Sequence, residues 1–166
     1  LKNISIPIVI TQHMPKTFTR ILAEHIQNRT GIPTAEGENG MAVKAGHAYL
    51  APGGLHMLVK KDKDGNTIIQ LDDGPPENFC KPAIDPMMRS VIRLYKNKTL
   101  GVILTGMGND GLISCTNLVH DYKGRVIAQD KQTSTIWDMP GAIAKAGLCS
   151  DILALDEIGP KIKTLL

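Results

Sequence analysis

The stretch LGVIL (residues 100–104), running directly into TGMGNDG (105–111), decides the fold. Five largely apolar residues, too few for a helix, read as a buried strand. The glycines that follow allow a tight turn. Leu112, Ile113, Leu118 and Val119 then mark a helix, and RVIAQ (125–129) supplies the next strand. Strand, turn, helix and strand form one βαβ unit.

The pattern continues outward from that unit. PIVIT (7–11) is a β-branched run that predicts a buried strand. Pro15 opens a helix with Phe18, Ile21, Leu22 and Ile26 on its apolar face, stopped by Gly31-Ile32-Pro33. HAYLA (47–51) predicts a strand ended by Pro52-Gly53-Gly54. Residues 57–60 and 67–71 flank Asp64-Gly65, a hairpin signal, and 72–82 form a proline-rich loop. Ile84, Met87, Met88, Val91, Ile92 and Tyr95 give the clearest helical period, with both methionines read as core. Residues 132–140 are expected as loop, 142–146 as a short helix, 152–155 as a last strand, and the tail as helix. Strands alternating with helices, plus one hairpin, predict a single α/β domain over residues 1–166 with a mostly parallel sheet.

Composition narrows the function classes. The chain has 166 residues, 42% hydrophobic and 21% charged, which suits a globular domain with a real core. A net charge of +3 from scattered basic residues, with only 4% aromatics, gives no nucleic-acid surface. No apolar run reaches membrane-spanning length, so no membrane insertion is expected. Cys80, Cys115 and Cys149 are far apart and odd in number, as for reduced thiols in a cytoplasmic protein. No metal site is expected of them. The start at Leu1, without a methionine, reads as a piece of something longer.

In a parallel sheet, ligands bind beyond the carboxyl ends of the strands. His13 and Asp110 both follow such ends, which predicts that they share one rim. A histidine there suits a general base, although one in a turn is more often structural. Asp110 is expected at the N-cap of the following helix, where capping and a catalytic role are compatible. Gly106, Gly108 and Gly111 also match a dinucleotide fingerprint, with Asp130 where a ribose-binding acid would sit. Against that reading, the Asp110 carboxylate repels a pyrophosphate and competes for the same amides.

Five segments, in order, resemble the catalytic domain of chemotaxis receptor methylesterases. They are QHMP (12–15) with Phe18-Thr19, YLAPGGLH (49–56), PAID (82–85) with Arg89-Ser90, LTGMGNDG (104–111), and Ala128-Gln129-Asp130 with Thr133-Ser134 and Met139-Pro140. The resemblance covers nearly the whole chain. It implies a doubly wound α/β fold and hydrolysis of glutamate methyl esters on the cytoplasmic part of chemoreceptors. Deamidation of certain glutamines is a related activity. It also implies that His13 is the general base, Asp110 the acid that orients it, and Met107 a backbone donor of the oxyanion region. No metal or organic cofactor enters such a mechanism.

The chain departs from that family at the nucleophile. The family's serine lies in a glycine-rich turn upstream of QHMP, and only twelve residues precede His13 here. Ser5, Ser90, Ser114, Ser134 and Ser150 lack those surroundings. The first strand and the phosphorylatable receiver domain usual in the family are missing too. The resemblance therefore implies an N-terminally truncated catalytic domain that is inactive alone. A non-catalytic module that binds receptor tails shares every motif and stays open.

Overall fold

The computed structural model describes residues 4–166. The chain divides into two compact units, one ending at Ser90 and the other Val91–Leu166.

In the first unit, β1 (Ile8–Ile10), β3 (Ala48–Leu50) and β2 (Thr34–Glu36) form a parallel sheet in that spatial order. Helix α1 (Lys16–Thr30) connects β1 to β2. Its last turn ends at Gly31, whose left-handed backbone (φ 72°) lets its N–H close on Gln27. The hairpin is β4 (His56–Lys61) against β5 (Thr67–Asp72), antiparallel as expected. At its tip, the Asp62 carboxylate accepts the Asp64 and Asn66 N–H groups. The core of this unit gathers Tyr49, Ala51, Met57, Ile69 and Met87. Met87 lies on α2 (Ile84–Tyr95), and both expected core methionines are buried.

The buried face of α1 differs from expectation. Phe18 and Ile21 are exposed, whereas Thr19 and Ala23 are buried. The cause is a close approach at the helix start. A Cβ on Gly53 would lie 2.2 Å from the Lys16 nitrogen, so only glycine lets the backbones meet. The Thr19 hydroxyl accepts the Gly53 N–H and donates to the Glu36 carboxylate, which turns that face inward. Strand β2 escaped the sequence reading because TAE (34–36) is short and carries one apolar residue.

In the second unit, β6 (Leu100–Ile103), β7 (Arg125–Gln129) and β8 (Asp151–Leu153) form another parallel sheet. Helix α3 (Leu112–His120) connects β6 to β7, α4 (Asp138–Lys145) connects β7 to β8, and α5 (Leu155–Thr164) follows. Helix α4 starts inside the segment expected as loop. Pro140 fits because a first-turn residue has no N–H to satisfy within the helix.

One buried side chain joins the loops after β6 and β7. The Gln129 carbonyl oxygen accepts the Thr105 N–H at 2.8 Å, and its amide donates to the Thr133 carbonyl at 2.8 Å. Trp137 closes the arrangement by donating its indole N–H to the Gln129 backbone carbonyl. The Gly106 N–H donates to Ile136, and Met139 returns an N–H to Gly106.

Two outcomes follow from these contacts. Gly53→Ala should lower unfolding stability by about 1–3 kcal/mol through forced overpacking, read by urea denaturation. Gln129→Leu should cost about 1–3 kcal/mol because the Thr105 N–H loses its acceptor. Amide shift changes should then concentrate at residues 105 and 133. Unchanged shifts there would show that the loops do not depend on Gln129.

Candidate active site

In the first unit the site is built around His13, half-buried between the carboxyl end of β1 and the start of α1. Ala51 donates its N–H to the Ile10 carbonyl, which carries the β1–β3 pairing up to the turn. Pro15, in extended conformation, is the N-cap of α1, and Phe18 donates its N–H back to it. The Gly53 approach fixes this corner from the other side.

A ring nitrogen of His13 and Cys80 Sγ lie within 4.8 Å of one another. Sequence reasoning treated Cys80 only as a reduced thiol, and Cys80, Cys115 and Cys149 form no disulfide among the described residues. The position of Cys80 beside His13 depends on the loop between β5 and α2. His56 holds both ends of that loop. Its Nε2 lies 2.9 Å from the Pro75 carbonyl, and its Nδ1 lies 3.1 Å from the Ala83 nitrogen. Only the neutral Nε2–H tautomer satisfies both partners, donating at Nε2 and accepting at Nδ1. His56 ends the YLAPGGLH motif, and its burial identifies it as an anchor of the loop.

The loop tip is a tight turn. Glu77 and Cys80 exchange both backbone hydrogen bonds. Asn78 and Phe79 between them have φ of 50° and 63°. Positive φ at both central positions is the type I′ geometry that favours Asn-Gly. Asparagine suits the first position, whereas a bulky residue at the second costs about 1–3 kcal/mol. Side chains from α2 restrain the turn. Arg89 grips the Glu77 carboxylate with two bonds, at 2.8 and 2.6 Å, and Asn78 donates to the buried Asp85 at 2.9 Å. Arg89 and Asp85 belong to the PAID segment and its extension, so those residues serve the loop. Phe79 is fully exposed.

In the second unit, Met107 and Asp110 lie in the loop beyond the carboxyl end of β6. Met107 is 71% exposed, which suits a position known by its backbone rather than its side chain. Gly108 beside it has φ of 88°. Asp110 is 2% exposed. It is not the N-cap of α3 as expected. That position is Gly111, at φ 91° with no side-chain cap. Asp110 therefore stands one residue before the N-cap.

Asp130 belongs to its own turn. Its carboxylate accepts the Thr133 hydroxyl at 2.6 Å and the Thr133 N–H at 2.9 Å. The hydroxyl bond first, and the backbone bond second, hold it below the ordinary carboxylate range. The loop amide of Gly106 is likewise taken, by Ile136. Both observations weigh against a nucleotide at this turn.

The serines are placed as follows. Ser90 accepts the Val59 N–H and donates to the Met87 carbonyl. Ser134 donates to Asp130 and Ser150 to Val126, both backbone carbonyls. Ser114 is fully buried within α3. No helix among the described residues is long and apolar enough to cross a membrane.

Comparison with known proteins gives a consistent result. The family model described as CheB methylesterase matches residues 1–162. A protein-glutamate methylesterase/protein-glutamine glutaminase of Azospirillum brasilense is 54% identical over 158 residues, covering 95% of this chain and 40% of that protein. The corresponding group 2 operon protein of Rhodopseudomonas palustris is 53% identical over 159 residues, covering 96% and 40%. The chain thus spans about 40% of the length of these relatives. The crystal structure of the Thermotoga maritima CheB methylesterase catalytic domain superposes with a TM-score of 0.95 at 36% identity, over 100% of this chain and 87% of that one. The α/β fold with parallel sheets and one hairpin is therefore that of a CheB catalytic domain, and the chain belongs to the CheB methylesterase family.

Proposed function

We propose that residues 1–166 form the catalytic domain of a cytoplasmic protein-glutamate methylesterase that also deamidates glutamine, acting on the cytoplasmic domain of methyl-accepting chemoreceptors. The observation that carries this reading is identity above 50%, over nearly the whole chain, to proteins named for both activities. Those relatives are more than twice as long, which leaves room for a receiver domain in the parent protein.

The chemistry follows from three positions. His13 is the general base. It takes the proton of a serine hydroxyl as that oxygen attacks the ester carbonyl, then gives it to the departing methoxide, releasing methanol. Asp110 orients the imidazole, selects its tautomer and stabilises the imidazolium. Its burial supports this role, because a carboxylate shielded from water acts with greater force on its partner. The Met107 N–H stabilises the tetrahedral oxyanion. Water then hydrolyses the acyl-enzyme to glutamate. With glutamine, ammonia is the leaving group.

The serine comes from outside these 166 residues. Ser90, Ser134 and Ser150 spend their hydroxyl protons on backbone carbonyls, Ser114 is sealed in a helix, and exposed Ser5 precedes β1, away from any strand-to-helix turn. The 166-residue chain should therefore show no esterase activity and no labelling by a fluorophosphonate. In the parent protein, His13→Ala and Asp110→Asn should each lower kcat by about 10³–10⁴-fold. Robust labelling of the short chain would place the nucleophile within it. Full activity of His13→Ala would overturn the assignment of the base. A parent protein that binds receptor but hydrolyses nothing would make this a receptor-binding module.

A further inference from the structure

We infer that Phe79 is the residue on which the protein substrate docks beside the catalytic base, through an apolar side chain flanking the esterified glutamate. The inference rests on the reading of His13 as that base and of a protein as the substrate.

Four observations converge on Phe79. It is fully exposed, although it is one of only two phenylalanines in the chain. It occupies the second central position of a type I′ turn, where glycine is the unstrained choice. The turn is nevertheless restrained from several directions. Arg89 holds Glu77, Asp85 holds Asn78, His56 holds Pro75 and Ala83, and the Gly54 N–H holds the Lys81 carbonyl. Finally, the next residue is Cys80, whose Sγ lies within 4.8 Å of a His13 ring nitrogen. A strained backbone persists only where its surroundings over-determine it, and such strain gathers at functional sites.

The chemistry of the substrate says what the aromatic ring does. A glutamyl methyl ester is small and uncharged, so it offers little surface for recognition. A protein that carries one is bound largely through neighbouring residues. A turn whose backbone is held on both sides presents the ring at a fixed place, so no loop has to be ordered when it is bound. A phenyl ring has no hydrogen-bonding atom, so its complement is an apolar side chain. Charge selects nothing at this tip. Lys81 is engaged by Asp73 and Arg89 by Glu77.

The test uses binding by the 166-residue chain, so it does not require the nucleophile. Isothermal titration would use a chemoreceptor cytoplasmic fragment bearing glutamate methyl esters. N-acetylglutamate γ-methyl ester amide serves as the truncated probe. Phe79→Ala should weaken binding of the receptor fragment about tenfold and leave the truncated probe unaffected. Phe79→Tyr should stay within about twofold of wild type, since the ring remains. Phe79→Gly should weaken binding as alanine does while raising the thermal midpoint, because it relieves the turn. A receptor affinity equal in wild type and Phe79→Ala would overturn the docking role and leave the proposed function intact. A wild-type chain with no affinity for the fragment would overturn both.

Discussion

The approach of the Gly53 backbone to the Pro15–Lys16 peptide is the constraint on which the first unit depends. The end of β3 and the beginning of α1 meet there with no side chain between them. That contact fixes where α1 begins, and so where the chain turns after His13. It also explains a helix face that hydrophobicity alone would place elsewhere. Small Thr19 and Ala23 face inward because larger residues would hold the helix off. Thr19 satisfies the Gly53 N–H, which would otherwise be a buried donor without a partner.

The second unit solves a similar problem with an amide. Loops at the carboxyl ends of two parallel strands have no ladder to join, so their backbone groups need other partners. Gln129 supplies an acceptor to one loop and donors to the other from a single fully buried side chain. A carboxylate could not donate, and an ammonium could not accept. The loop carrying Met107 and Asp110 is thereby tied to its neighbour at Thr105, two residues past the end of β6. Beyond it, Gly106 is tied to Ile136 and Met139, and Gly108 turns the chain with a positive φ.

Much of this was legible in the sequence, and the exceptions have physical causes. The strands 125–129 and 8–10, the hairpin around Asp64-Gly65 and the helix from Ile84 all follow from periodicity and turn chemistry. The α1 face was misread because Phe18 and Ile21 obey the helical period while the packing obeys backbone proximity, which a period does not encode. Asp110 was expected as an N-cap because aspartate favours that position, yet Gly111 takes it through a left-handed backbone. His13, Met107 and Asp110 became site candidates through their ordered motifs more than through local pattern. Cys80, His56 and Phe79 gave almost no local signal. Their significance arises from a turn whose geometry would ordinarily be announced by Asn-Gly, and here reads Asn-Phe.

The clamp on that turn has a bearing on how such a domain diverges. Its grips fall on Pro75, Glu77, Asn78, Lys81 and Ala83, and none on the side chain at position 79. The scaffold thus holds the turn even where its tip carries an aromatic in a glycine's conformation. Substitution at this single position disturbs none of those grips. The turn behaves as an interchangeable tip on a fixed handle, and a lineage could retune its choice of partner there without rebuilding its chemistry.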